Sequence, residues 1–420
     1  VFSRSAGIWT QQAKLLASDK DSSDYFGRSV AIDGDTAVIG AYNESNSGTF
    51  GNGAAYVFDT TAISDSGAAL IRALGEINDD GSQDIVALVK EDGTLTATVK
   101  DAEDRSLINT IAFDANLVPV DLKVMADINA NGAPELVVLG SGSTRSEVRD
   151  SLTGEHLGEV DFDPALSPID LELVADQTGN AIPELAMLGR GSVKVEVKDP
   201  LTQDAVDTLT FNKNYIPKDL SVWPNGAAIA VGVLGESKDP TRGDKIEVRD
   251  LDTGDIVKHL WVGKGWNLLQ MELLADLNSN GSPEAAILRE HPDDQRVSVL
   301  PVDTASGSRL PHLGFDPNYR PIRLRVLDDI NGNGTEEIAV LAVRRGCCNQ
   351  KVWVKDGGTG ESIRAVYFGK TYLGEDLDIS PDINGNGTPE LVVLGRRDDG
   401  VLRAIIKDSK TGEFISSVGF

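Results

Sequence analysis

Apolar residues in this chain come in short runs rich in Val, Ile and Leu, each cut by Asn-Gly, Thr-Gly or Pro. Runs and breaks of this kind predict short antiparallel strands joined by tight hairpins. In one stretch they fall at Leu122 to Ile128, Glu135 to Leu139, Ser146 to Asp150 and His156 to Phe162. No segment holds a 3.6-residue apolar period with caps at its ends, so helix is expected to be almost absent.

The pattern repeats. A pair ending in Asp recurs as Lys100-Asp101, Arg149-Asp150, Lys198-Asp199, Arg249-Asp250, Val302-Asp303, Lys355-Asp356 and Lys407-Asp408, at spacings of 49, 49, 51, 53, 53 and 52 residues. Several copies continue as Thr-Gly-acid, as in Thr153-Gly154-Glu155 and Thr411-Gly412-Glu413. An aromatic closes the apolar run at Phe113, Phe162, Phe211, Phe315, Phe368 and Phe420. Seven copies of four strands thus run from about Ser66 to Phe420. A period near fifty residues with four strands per unit predicts an all-β fold, a β-propeller of four-stranded antiparallel blades. A β-solenoid would show shorter coils.

Residues 1–60 read as a variant unit. Its strands are expected at Phe26 to Ile32, Thr36 to Ala41 and Gly53 to Phe58, with a fourth-type strand, Trp9 to Leu16, placed before them. Counting this unit, an eight-bladed ring closed by the N-terminal strand is favoured, all 420 residues forming one propeller. Seven blades with an appended unit are the alternative. Sixty residues alone are too few to bury a sizeable core.

Charge narrows the partners. With 39 basic and 66 acidic residues the formal charge is −27, which argues against nucleic acid or an anionic membrane surface and favours cations. No apolar stretch is long enough to insert in a bilayer. The chain opens without Met or a leader-like segment and reads as a processed or excised piece. Cys347 and Cys348 are adjacent, so they cannot link distant segments; a vicinal bridge or two loop thiols are the options.

Between first and second strands most copies share a nine-residue loop. It reads Asp127-Ile128-Asn129-Ala130-Asn131-Gly132-Ala133-Pro134-Glu135 in one copy. Oxygen-bearing residues at positions 1, 3, 5 and 9, with Gly at 6 and a backbone carbonyl at 7, resemble the opening of a calcium loop. The same positions are Asp276, Asn278, Asn280, Ser282 and Glu284; Asp329, Asn331, Asn333, Thr335 and Glu337; and Asp382, Asn384, Asn386, Thr388 and Glu390. A fifth candidate comprises Glu76, Asn78, Asp80, Ser82 and Asp84. Oxygen ligands without His or Cys suit Ca²⁺ rather than Zn²⁺. A plain Asn-Gly hairpin turn is the simpler reading of any single copy. The loop Asp176 to Glu184 has lost the Gly at position 6, Val222 to Gly226 lacks the acids, and Asp33-Gly34-Asp35 is too short to encircle an ion.

Phe26-Gly27 followed by Gly40-Ala41-Tyr42 resembles the Phe-Gly…Gly-Ala-Pro (FG-GAP) repeat of the integrin α-subunit propeller and its bacterial relatives, with Tyr42 in place of the Pro. The Asp-x-Asn-x-Asn-Gly-x-x-Glu loop is similar to that family's calcium-binding hairpin. The resemblance implies calcium on one face of the ring and a protein or glycan ligand on the other. It implies a secreted or cell-surface adhesion or binding module.

Loops from a fourth strand to the next first strand carry Leu117, Leu166, Tyr215, Trp266, Tyr319 and Tyr372. Tyr215, Trp266, Tyr319 and Tyr372 are candidates for stacking on a ligand; alternatively this position wedges between blades, as its Leu counterparts suggest. His156, His259, His291 and His312 occupy different repeat positions, and no nucleophile or phosphate-loop motif appears. Binding without catalysis is therefore the expectation. A carbohydrate-active enzyme, such as a lyase on a propeller, and a self-assembling structural subunit are the alternatives.

Overall fold

The alternation of β-branched runs and Gly- or Asn-bearing breaks produces strands and nothing else among the described residues. In the computed structural model these are residues 2–5, 8–11, 25–33, 36–41, 43, 53–59, 69–190, 193–346, 349–397 and 399–420. The chain divides into two compact units, residues 1–67 with 89–94, and residues 68–88 with 95–420.

In the first unit Phe26–Asp33, Thr36–Ala41 and Ala54–Asp59 form a three-stranded antiparallel sheet, close to the strands expected there. The Phe26 and Tyr56 rings meet edge to face at 5.3 Å. Ile8–Gln11, which overlaps the expected Trp9 to Leu16 strand, pairs with Phe2–Ser5 in a two-stranded sheet. Residues 12–16 of that expected strand, and the Gly34-Asp35 turn, lie outside the described residues.

Residues 68–420 hold seven four-stranded antiparallel sheets, each formed by strands consecutive in sequence. Their first strands are Leu70–Gly75, Val118–Met125, Ser167–Val174, Tyr215–Asn225, Asn267–Leu274, Tyr319–Leu327 and Leu373–Ser380, which open blades 1 to 7. Each first strand neighbours the next, and that of blade 1 neighbours those of both blade 2 and blade 7. The sheets therefore close a ring around their first strands. Among the described residues eight repeated sheets are present, as the repeat count implies, seven of four strands and one of three, and the seven first strands of residues 68–420 close on one another. Each of the seven supplies its own fourth strand, so the last sheet is complete without an N-terminal one.

The first strand of blade 2 begins earlier than expected. In blade 2 the strand is Val118–Met125, because it continues through Pro119 on a bulge between Pro119 and Asp121. Proline donates no ladder bond, so it is tolerated where the register shifts. Equivalent bulges fall at Pro168/Asp170, Pro217/Asp219 and Pro321/Arg323. The residue after the bulge reaches the neighbouring blade. Leu220 N donates to Asp170 Oδ2 at 2.8 Å and Leu324 N to Gln270 Oε1 at 2.8 Å; in blade 1 it is Ile71 N, ahead of that strand's register shift, that donates to Asp376 Oδ2 at 3.1 Å.

Two repeat markers meet between blades. Arg149 sits over the Phe113 ring of the preceding blade at 5.5 Å, Lys198 over Phe162 at 5.8 Å, Arg249 over Phe211 at 5.3 Å and Lys407 over Phe368 at 5.7 Å. Lys100 of blade 1 covers Phe420 of blade 7 at 5.6 Å and donates to Gly419 O at 2.7 Å, which seals the closure. Where the pair is Val302 and Val262 instead, both side chains enter one apolar cluster.

Candidate metal loops and the carboxylates behind them

Antiparallel order sends every first-to-second-strand loop and every third-to-fourth-strand turn to the same end of its sheet. In blade 2 the loop closes on its opening acid. Asp127 Oδ1 accepts from Ala130 N at 2.7 Å and Asp127 Oδ2 from Gly132 N at 2.7 Å. Asn129 Oδ1 accepts from Asn131 N at 3.1 Å, and Asn131 Oδ1 from Ala133 N at 2.9 Å. Position 6 needs a left-handed backbone, with φ of 93° at Gly132, 87° at Gly281, 86° at Gly334 and 84° at Gly387.

The other candidate loops repeat this cradle. Gly281 N donates to Asp276 Oδ2, Gly334 N to Asp329 Oδ2 and Gly387 N to Asp382 Oδ2, each at 2.6 Å. Ser282 N donates to Asn280 Oδ1, Thr335 N to Asn333 Oδ1 and Thr388 N to Asn386 Oδ1. Asn384 Oδ1 accepts from Asn386 N at 3.0 Å. In blade 1, Asn78 N and Asp80 N donate to Glu76 Oε1, and Ser82 N donates to Asp80 Oδ1. Blade 3 keeps the same shape without the Gly: Ala181 takes a φ of 67°, and its N–H donates to Asp176 Oδ2 at 2.7 Å. Blade 4 has no loop there; Asn225 pairs directly with Ala228 across a two-residue turn.

The closing acids are buried. Glu135, Glu284, Glu337, Glu390 and Asp84 are each 0% exposed. One oxygen of each takes a backbone donor: Ile128 N reaches Glu135 Oε1 at 2.8 Å and Ile330 N reaches Glu337 Oε2 at 3.0 Å. The other oxygen has no donor at Glu135, Glu337, Glu390 and Asp84. Burial, opposed in part by those backbone bonds and reinforced by neighbouring carboxylates, pushes all four carboxyls up to about 7. Hydrogen bonds from Gly132 and its neighbours hold Asp127, by contrast, below the usual range. An orphaned, buried carboxylate oxygen in an all-oxygen loop fits a hard divalent cation.

Among the described residues no group of three or more His, Cys, Asp or Glu side chains is arranged to hold a metal. The loops of blades 2, 5, 6 and 7 bring two carboxylates at ligand positions, 1 and 9, and that of blade 1 adds Asp80 at position 5, so further ligands would come from the Asn oxygens and from the carbonyls of Ala133, Ser282, Thr335, Thr388 and Ser82.

A residue absent from the expected site stands behind each loop. The Asp that ends the third strand pairs across the ladder with the closing Glu, as Asp150 with Glu135, Asp303 with Glu284, Asp356 with Glu337 and Asp408 with Glu390. Its spacing near fifty residues was the available signal, read only as a blade marker.

The aromatic candidates lie elsewhere. Tyr215 and Tyr319 are 6% and 8% exposed, which removes them from the open surface. Trp266 and Tyr372 are half-buried. They share the slot of Leu117: a Cβ on Gly235 would lie 2.9 Å from Tyr215 Cβ, and one on Gly140 2.7 Å from Leu117 Cβ. Lys351 covers Tyr319 at 4.1 Å and Arg289 covers Trp266 at 4.3 Å. Tyr215 and Tyr319 are thus packed inside the protein, and Trp266 is covered on one face by Arg289. Arg345 donates to Glu290 of the adjacent blade. Cys347 and Cys348 lie outside the described residues.

Residues 9–58 match the FG-GAP repeat family. No curated protein matches the sequence. Among solved structures, BBS1N in complex with ARL6DN is similar over 83% of this chain and 93% of its own, at 12% identity and a TM-score of 0.53. The hydrazine synthase of Kuenenia stuttgartiensis is similar over 69% of this chain and 76% of its own, at 15% identity and a TM-score of 0.50. With its strand order and ring closure, this chain is a β-propeller protein that carries an FG-GAP repeat.

Proposed function

We propose that the seven-bladed unit is a calcium-stiffened binding module that works outside the cell and takes a protein ligand, with a glycan as the second candidate. The observation that carries the calcium reading is the donor-less buried oxygen of Glu135, Glu337, Glu390 and Asp84. A buried charge without a partner is costly, and a cation held by the same loop relieves it. No helix among the described residues is long and apolar enough to cross a membrane. Placement outside the cell rests on the FG-GAP repeat and on the supply of millimolar calcium there, which weak loop sites need. A protein ligand is favoured because a chain of similar fold, BBS1N, forms a complex with ARL6DN.

The calcium reading is tested by thermal unfolding in calcium and in chelator, with bound metal counted by elemental analysis. A ligand that binds only the folded state raises the midpoint. Four or five bound ions and a higher Tm are expected. An unchanged Tm with no bound metal would sink the reading.

A further inference from the structure

We infer that the aspartate ending the third strand is a positioning residue of the cation loops in blades 2, 5, 6 and 7, setting the loop asparagine at position 5, and in blades 2, 5 and 6 the one at position 3 as well, with its oxygen toward the loop interior. The inference rests on the calcium reading and deepens it. In blade 6 Asn331 and Asn333 both donate through Nδ2 to Asp356 Oδ2, at 2.9 and 2.5 Å, and Thr335 Oγ1 donates to the same oxygen at 2.9 Å. In blade 2 Asn129 and Asn131 donate to Asp150 Oδ2 at 3.0 and 2.7 Å. Blade 5 joins Asn278 and Asn280 to Asp303 Oδ2, and blade 7 joins Asn386 and Thr388 to Asp408 Oδ2.

The amide has two unlike ends. With Nδ2 held by the third strand, Oδ1 turns the other way and accepts the loop N–H two residues on; in blade 2 this leaves a second lone pair for an ion, while in blades 6 and 7 the Thr335 and Thr388 hydroxyls, each with one proton to share between this oxygen and the aspartate, lie 2.6 Å from it. The other oxygen of the same aspartate caps the next turn: Asp150 Oδ1 accepts from Thr153 N and Thr153 Oγ1, and Asp356 Oδ1 from Thr359 N. A backbone bond doubles the link, from Ser151 N to Pro134 O in blade 2 and from Gly357 N to Glu336 O in blade 6. Loop and turn are therefore one unit.

Blade 1 supplies the contrast. Its position 5 is Asp80, which has no amide to donate, and there Asp101 Oδ2 is buried without a partner. Asparagine at position 5 and aspartate at the third-strand end thus form a matched pair. Blade 1 has aspartate at both places, Asp80 and Asp101, and lacks the link.

The test uses the whole chain, with hydrogen–deuterium exchange of the segment 329–337 followed across a calcium titration. The half-protection concentration reads this loop separately from the others. Asp356→Ala is expected to raise it at least about tenfold, the effect of losing a partner that orients a metal ligand. The exchanged pair N333D/D356N restores an amide-to-carboxylate bond with its direction reversed and is expected to return the midpoint to wild type or below. A purely structural role predicts faster exchange in chelator for Asp356→Ala but an unchanged calcium midpoint, which would overturn the inference. Failure of the exchanged pair to recover, with loops 127–135 and 382–390 still responding, would overturn it too. Absence of any calcium response in wild type would instead bring down the calcium reading itself, and this inference with it.

Discussion

Asp170 and Asp219 face one another from adjacent first strands at the ring's centre, where both accept from Leu220 N. They line a polar cavity of about 390 Å³ with Lys123, Glu172, Glu272 and Arg325. Most charges there are matched: Lys123 pairs with Glu172 at 2.9 Å, and Arg325 with Glu272 at 2.9 Å and Asp378 at 3.0 Å. Burial first, then the charge of Asp170 and the bond between the two carboxyls, holds Asp219 well above the usual carboxylate range. The folded state thus binds a proton that the unfolded chain has released. That contribution is complete below about pH 4 and is lost as pH rises through the raised value. Asp219→Asn mimics the protonated form, so its Tm is expected to fall less than wild type as pH rises above about 4. Parallel pH profiles for the two proteins, by calorimetry, would refute this. At this scale the sequence exposes the loop ligands through their spacing, but not the Asp170–Asp219 pair. That pair comes from a bulge one residue past Pro168 and Pro217, and a bulge decides which face a side chain takes.

Strands and their breaks are well encoded: blade 2 places its second, third and fourth strands within two residues of expectation. The first strand of blade 2 is displaced because Pro119 reads as a break and acts as a bulge. The cation before most third-strand aspartates and the aromatic at most fourth-strand ends are legible in the sequence only as markers, since their meeting is a contact between blades. Phe162 is 3% exposed beneath Lys198. Phe162→Ala should lower stability by about 3–5 kcal/mol, the usual effect of emptying an aromatic core position. Lys198→Met should cost only about 0.5–1 kcal/mol, because the aliphatic stem still covers the ring. Urea denaturation separates the two, and equal losses would show that the charge, not the packing, dominates.

Ring closure depends on residues some three hundred positions apart. Ala73 N donates to Asp378 Oδ2 at 2.9 Å, Arg72 bonds Asp376 at 2.9 Å, and Lys100 lies over Phe420. A repeat count fixes the number of sheets, whereas these contacts fix which sheets meet. Residues 68–420 expressed alone are expected to unfold in one cooperative transition, with first-blade amides protected from exchange. Loss of cooperativity would mean that closure needs the preceding unit. Calcium in the loops would neutralise about ten of the acidic charges, two per loop, and leave the remainder on the surface. The most direct measurement is an anomalous difference map from crystals grown in calcium. Peaks are predicted inside the loops 127–135, 276–284, 329–337 and 382–390, and inside 76–84, with none at the Asn225–Ala228 turn. Loops without density, in crystals that hold calcium elsewhere, would contradict the account.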